Sequence, residues 1–358
     1  MINRIEIEHF KSIKNLNLEL RSLNILIGAN GAGKSNFIGF FELVKNIYEG
    51  RLRFYIADEL GADNILYFGS KQSDYLSGKI EFDNRNGYEF KLLRDQSDSF
   101  YFEYESVYYK NESYLKPYDE YLPSKGLKES KIKELRSPVA NHVKGYLESF
   151  KIFHFHDTGK TSKIKQPSLV SDNSFLRGDG SNLAAYLYFL QEKHPSDLKR
   201  IEMAVRSVAP FFDGFNLNPD RINPDTIRLE WKERGSDSYF YSKHLSDGTL
   251  RFIALATLLL QPTAPKVIII DEPELGLHPF AISKLAGLIK KSSAVSQIII
   301  STQSTSLIDS FDAEDIIIVD RKDNQSVFTR HSSEELKYWL ESYSISEIWN
   351  KNVIGGRP

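Results

Sequence analysis

The stretch Gly28-Ala-Asn-Gly-Ala-Gly-Lys34-Ser35 constrains this chain more than any other, because it fits the pattern G-x-x-x-x-G-K-[ST]. A buried-looking run (Leu23, Ile25, Leu26, Ile27) precedes it, and an apolar helix follows through Phe37, Ile38, Phe41 and Val44. Glycines at 28, 31 and 33 let backbone N–H groups turn inward around phosphate oxygens, with Asn30, Ala32 and Asn36 completing the cradle. Lys34 is placed to reach the β- and γ-phosphates, and the Ser35 hydroxyl to ligate Mg²⁺. At an average glycine usage of about 7%, chance supplies the pattern in roughly one chain in a hundred of this length. An ordinary glycine-rich turn is the plain alternative, and the strand-before, helix-after context argues against it.

A second chemical feature lies far downstream. Val267-Ile-Ile-Ile-Asp271-Glu272-Pro273 is an apolar strand ending in two carboxylates. Alone, it reads as a buried strand running out into solvated acids. Paired with the cradle, Asp271 is suited to the Mg²⁺ shell and Glu272 to orienting and deprotonating an attacking water. About twenty residues earlier, Leu245-Ser-Asp-Gly-Thr249 opens an apolar helix. Ser246 suits a helix cap, and with Gly248 it presents a helix N-terminus fit to face a phosphate.

This order of motifs resembles the ABC-type ATPases, whose signature LSGGQ is matched here by LSDGT. In that family the signature faces the γ-phosphate bound by the other subunit, so the resemblance implies a homodimer with ATP sandwiched between protomers. The string DEPELGLHP and the N-terminal IEHFKSIKNLNLEL are similar to the branch containing RecF, SMC and the OLD-type nucleases. Lys11 and Ser12 then fall where relatives place residues near the nucleotide. The resemblance spans residue 2 to about residue 320. It extends to compact bacterial AAA family ATPases that also carry an HFHD segment and end in GGRP. It implies ATP and Mg²⁺ as cofactors and ATP hydrolysis as the activity. It also implies DNA-linked work, in genome maintenance or phage defence, through a separately encoded effector nuclease or toxin. The stretch Glu334–Trp349 is read as an amphipathic helix, and no room is expected after it for a Toprim nuclease domain.

Four features depart from that pattern or leave it open. In ABC ATPases a histidine follows the next strand; here Ile298-Ile-Ile-Ser-Thr302 is followed by Gln303. A glutamine can hydrogen-bond a γ-phosphate or the water but carries no charge, or it can simply cap the helix beginning at Ser304. Phe153-His154-Phe155-His156-Asp157 occupies the Q-loop position. A contact from His156 or Asp157 to Mg²⁺ or water is expected there, with a structural histidine pair as the rival. Lysines and arginines crowd residues 125–165, which suits either a DNA backbone or a solvated helix face. The aromatic stretch 100–121 fits base stacking or sheet core.

Composition limits the remaining classes. The 358 residues are 41% hydrophobic with net charge −2 and no cysteine, which excludes wholesale disorder, disulfides and cysteine-ligated metals. No leader is read at the N-terminus, and the longest apolar run, Phe252–Leu260, is too short to cross a membrane. A cytoplasmic protein without a membrane partner is expected. The expected fold is α/β, a P-loop NTPase head with a mixed or parallel sheet core, an antiparallel β subdomain and a helical insertion. Its lobes are drawn at 1–157, 158–245, 246–330 and 331–358. An ATP-gated DNA clamp and a transporter ATPase subunit are the alternative functions, and the segment after Glu274 argues against the transporter.

Overall fold

The structure is a computed structural model that describes residues 1–110 and 117–357. It has α/β architecture with antiparallel and parallel sheet, and its chain divides into two compact units. Met1–Phe150, Lys266–Ile269 and Asp312–Pro358 form the first, and Lys151–Pro265 with Ile270–Phe311 the second.

In the first unit, the alternating sequence of residues 2–19 and 75–109 produces an antiparallel sheet, as period-2 patterning demands. Its strand order is Ile13–Glu19, Ile2–Phe10, Tyr75–Phe82, Asn86–Arg94, Phe100–Tyr109 and Tyr118–Tyr121. Register sets Ile5 opposite Leu18 and Ile80 on a mainly apolar face, which also buries Glu105, opposite Phe90, as acceptor of the Tyr88 hydroxyl at 2.6 Å. That face meets the helix Lys34–Glu49, whose Phe40 ring lies 5.6 Å from Phe10 and 6.2 Å from Phe90. Gly78 permits this contact: a Cβ there would stand 2.5 Å from the Phe40 ring. The helix ends at Gly50, a left-handed residue whose N–H returns to Asn46 and Ile47 carbonyls. Beside it, the fully buried strand Leu23–Ile27 pairs in parallel with Ile316–Lys322, with Ile318 opposite Ile27. A tight turn with positive φ at Asp323 and Asn324 then folds back the strand Gln325–Thr329.

In the second unit, the helix Asp247–Leu260 is buried on nearly every side and packs against helices Pro195–Val208 and Pro279–Ser292. A small antiparallel sheet (Phe212–Asn216, Glu230–Glu233, Tyr239–Tyr241) closes over Trp231, whose ring stacks on Phe212. The strand Gln297–Ser301 is entirely buried, and the strand Val267–Asp271 delivers its last two residues into this unit.

The apolar spacing of residues 334–349 suggests one amphipathic helix, and the structure has two: Ser333–Leu340 and Ile345–Asn350. Ser344 breaks it, because its side chain caps the second helix and Glu347 completes a capping box.

Candidate functional site

The cradle is shaped by its glycines. Gly31 and Gly33 have φ of 78° and 119°, and a Cβ on Gly28 would meet the Val319 carbonyl oxygen at 2.1 Å. A Cβ on Gly33 would stand 2.0 Å from the Ser326 hydroxyl. Lys34 is buried, and its ammonium donates to the Gly28 and Ala29 carbonyls at 2.6 and 3.0 Å. Asn30, Gly31 and Ser35 are exposed, and within the loop the Ala32 N–H donates to the Ala29 carbonyl at 3.2 Å.

Ser12 lies beside this loop, its hydroxyl 3.0 Å from where a Cβ on Gly33 would stand. Lys11 holds a left-handed φ of 48° and pairs with Glu59 at 2.8 Å. The Asn36 carboxamide donates to the Ser12 hydroxyl at 2.6 Å, and Ser12 and Ser326 hydroxyls lie 2.6 Å apart. Lys11, Ser12, Asn36, Asn64, Phe68 and Arg321 border an open cavity of about 590 Å³, within the ordinary range for a small-molecule site. Two neighbours escaped the sequence reading. Ser326 donates to the Ala32 carbonyl at 2.6 Å. Gly356 seats against the root of the loop, its carbonyl held at 2.6 Å by the Trp349 indole, and a Cβ on it would stand 3.7 Å from the Gly28 Cα. A buried serine on a distant hairpin carries no motif; the paired glycines 355–356 were the available sign.

The acidic turn, in the second unit, is held differently. Glu272 adopts φ 40°, a left-handed conformation costing a non-glycine residue about 1–3 kcal/mol. Its N–H donates to the Ser301 carbonyl at 2.9 Å, and its carboxylate accepts from the Gln303 carboxamide at 2.7 Å. The Asp271 carboxylate accepts from the Ser301 hydroxyl. Glu274, only 9% exposed, accepts from the Thr302 hydroxyl and from the Gln303 N–H at 3.3 Å. Burial, and to a lesser degree the neighbouring Glu272 charge, push the Glu274 carboxyl above its ordinary value. The cap of the helix Thr305–Ile308 is Ser304, which accepts from the Leu307 N–H. Ser304 thus supplies the cap, and the Gln303 carboxamide is bonded to the acidic turn.

His156 and Asp157 part company. The His156 Nε2 bonds the Asp271 carbonyl at 2.7 Å, while exposed Asp157 accepts from the Gly159 N–H within its own turn. The His154 and His156 rings are edge to face at 6.2 Å, and no cluster of three or more metal-ligating side chains occurs among the described residues. Ser246 caps its helix by accepting from the Thr249 N–H at 3.1 Å. Gly248 allows a close approach, since a Cβ there would stand 2.5 Å from the Gly276 carbonyl oxygen.

Arg251, like Ser301, Thr302 and Glu274 in this unit, escaped the sequence reading. It is 5% exposed on an otherwise apolar helix, and it donates to the Phe155 and His156 carbonyls at 2.9 and 2.8 Å. Burial lowers the pKa of its guanidinium. A lone arginine within GTLRFIALATLLL was the readable signal.

The basic stretch 125–165 is largely spoken for. Lys128 pairs with Asp95, Lys131 with Glu134, Lys163 with Asp179 and Lys165 with Asp247. Lys144 donates to the Leu135 carbonyl. Of the aromatic stretch 100–121, Phe100, Phe102 and Tyr108 are core and Tyr118 and Tyr121 are exposed; residues 111–116 lie outside the described residues. No helix among the described residues is long and apolar enough to cross a membrane.

No curated protein matches the chain. Among solved structures, an SMC head bound to the C-terminal winged-helix domain of ScpA is similar, with a TM-score of 0.64 at 17% identity. That match covers 94% of this chain and 99% of the other. A second SMC head, bound to the C-terminal domain of ScpA and derived from Pyrococcus furiosus, gives a TM-score of 0.55 at 16% identity. It covers 95% of this chain and 98% of that one. At these identities the likeness shows the fold. A family model matches residues 23–309, and the chain accordingly belongs to the P-loop family described as "AAA domain, putative AbiEii toxin, Type IV TA system", with the fold of SMC heads.

Proposed function

We propose that this chain binds ATP with Mg²⁺ and hydrolyses it, switching a head-to-head homodimer between closed and open states. The observation that carries the reading is the hold on Glu272: a left-handed turn whose carboxylate is aimed by the Gln303 carboxamide. A structure spends strain of this kind where a side chain must be preorganised.

The cradle residues Gly28, Asn30, Gly31, Ala32, Gly33, Lys34, Ser35 and Asn36 bind the phosphates, and Lys11 and Ser12 border the nucleoside. Lys34 exchanges its loop carbonyls for β- and γ-phosphate oxygens, a stronger charge-assisted bond. Ser35 and Asp271 offer the hard oxygen atoms that suit Mg²⁺, and Ser301 binds one carboxylate oxygen of Asp271 while the other has lone pairs to give. Asp157 is a further proposed oxygen donor. When bound, Mg²⁺ neutralises charge on the β- and γ-phosphates. Glu272 orients the attacking water and takes its proton, while Gln303 holds that carboxylate in place and senses the γ-phosphate. Ser246 and Gly248 present their helix N-terminus to the γ-phosphate bound by a second copy.

The family description and the ScpA-bound SMC heads support a partner protein as the effector of the switch. We assign its work to DNA-linked processes, genome maintenance or phage defence, with a separately encoded nuclease or toxin, in a cytoplasmic setting. The paired state of Lys128, Lys131, Lys163 and Lys165 weakens the competing picture of a simple DNA clamp.

Light scattering tests the switch. Wild type and Glu272→Gln are weighed with and without ATP·Mg²⁺, beside a phosphate-release assay. The variant is expected to form a lasting dimer with ATP and to release no phosphate. A protein that binds ATP yet neither changes mass nor releases phosphate overturns the reading. A native pull-down in which no second protein appears would end the effector assignment.

A further inference from the structure

We infer that Glu274 is a positioning residue for hydrolysis, acting through Gln303 on Glu272. This deepens, and rests on, the proposed role of Glu272.

The turn after Asp271 places two glutamates differently. Glu272 is partly exposed, whereas Glu274 is buried and 9% exposed. A buried carboxyl without a cationic partner is costly, so its retention calls for a reason. One oxygen, Oε1, accepts both the Thr302 hydroxyl and the Gln303 N–H. Oε2 is buried and has no hydrogen-bond partner in the described structure. Glu274 therefore spends its binding capacity on the two residues following Ser301.

Those bonds fix the backbone from which Gln303 projects. The Thr302 hydroxyl, which donates to Glu274, also accepts from the Ser304 N–H at 3.0 Å, so the segment is tied at three successive residues. From that anchored backbone the Gln303 carboxamide reaches Glu272 Oε1 at 2.7 Å. The Ser301 carbonyl accepts the Glu272 N–H in the same patch. Gln303 is thus held through its N–H by one glutamate and holds the other through its side chain. Without Glu274, Gln303 keeps its chemistry and loses its anchor.

The needed property of Glu274 is an acceptor oxygen at Oε1, and its charge is dispensable. Glutamine supplies that oxygen in nearly the same place; alanine does not. This separates Glu274 from Glu272, where glutamine cannot take a proton from water.

Steady-state hydrolysis gives kcat and KM for ATP in wild type, Glu274→Gln, Glu274→Ala, Gln303→Ala and the Glu274→Ala/Gln303→Ala double variant. Hydrogen exchange by mass spectrometry follows residues 300–306 in the same proteins. Glu274→Ala is expected to lower kcat roughly 10- to 100-fold, the cost of a displaced catalytic group, with KM changed less than about twofold. Glu274→Gln should keep kcat within about threefold of wild type, and the double variant should be no slower than the worse single one. Exchange at 302–304 should quicken in Glu274→Ala and stay slow in Glu274→Gln. The inference is overturned by unchanged kcat in Glu274→Ala, by a Glu274→Gln loss as large as that of alanine, or by additive losses in the double variant. If wild type hydrolyses no ATP, the reading of Glu272 fails by itself. Exchange then still decides whether Glu274 anchors Gln303, and unaltered exchange in Glu274→Ala overturns it.

Discussion

The phosphate loop and the acidic turn both present their chemistry at the end of a buried strand, yet they are held in shape by opposite means. The loop is largely self-shaped: glycines at 31 and 33 take left-handed angles, and Lys34 bonds carbonyls five and six residues away. The turn is shaped by others. Ser301, Thr302 and Gln303, about thirty residues downstream, and His156, well over a hundred upstream, fix it through hydrogen bonds. A self-shaped loop can be recognised as a string of residues. A turn held by distant side chains can only be recognised by its charge, and its precision is a tertiary property. The two should accordingly fail in different ways when mutated.

The largest effects should come from the chemistry at each place. Glu272→Gln is expected to lower kcat at least about 100-fold, the lower range for a lost general base, while ATP binding survives. Lys34→Ala should instead abolish binding, seen by nucleotide titration. Equal binding losses in both variants would erase the distinction between cradle and acid. The next effect should come from glycine. Gly33→Ala must move the Ser326 hydroxyl, 2.0 Å from the new Cβ, and adopt φ 119°. It is expected to weaken nucleotide binding and to cost about 1–3 kcal/mol of stability by chemical denaturation.

Arg251→Met then asks whether the second unit depends on long-range ties. It removes the bonds to the Phe155 and His156 carbonyls while keeping most of the apolar stem. A stability loss of about 1.5–3 kcal/mol is expected, the usual scale for a charged hydrogen bond. An unchanged midpoint would show that the segment bearing His156 needs no tie to the helix.

The smallest effect should be a gain. Burial raises the Glu274 pKa in the folded state above its ordinary value of 4.5. A carboxyl raised in this way opposes folding once it is ionised in the unfolded chain, so the penalty is absent below about pH 4.5 and grows as pH rises from there. Glu274→Gln removes it. The variant should melt slightly higher than wild type near neutral pH, and the gain should vanish below that value. A difference independent of pH would mean that Glu274 carries no folding penalty.

Much of the first unit was legible because its patterns are local. Period-2 alternation marks strands over 2–10, 16–27 and 65–110, where the structure has 2–10, 13–19, 23–27 and three strands between 75 and 109, and the helix after Lys34 follows from its apolar face. The split at Ser344 was less legible: apolar spacing continues across it, and the cap that ends the run depends on whether a serine side chain turns back to its own helix. Arg251 shows the same limit. Its charge stands out in the sequence, but which carbonyls it would serve depends on which segment packs there.

The sequence by itself determined the phosphate cradle, the acidic strand end and the α/β class. These rest on backbone conformations that glycine allows and on apolar periodicities that burial enforces. Tertiary structure alone decided that Gln303 serves Glu272, that Ser326 and Gly356 brace the loop, and that Glu274 is buried against Thr302 and Gln303. Each of these is a contact between residues far apart in the chain, and its energy exists only once packing has removed the water that would otherwise satisfy both partners.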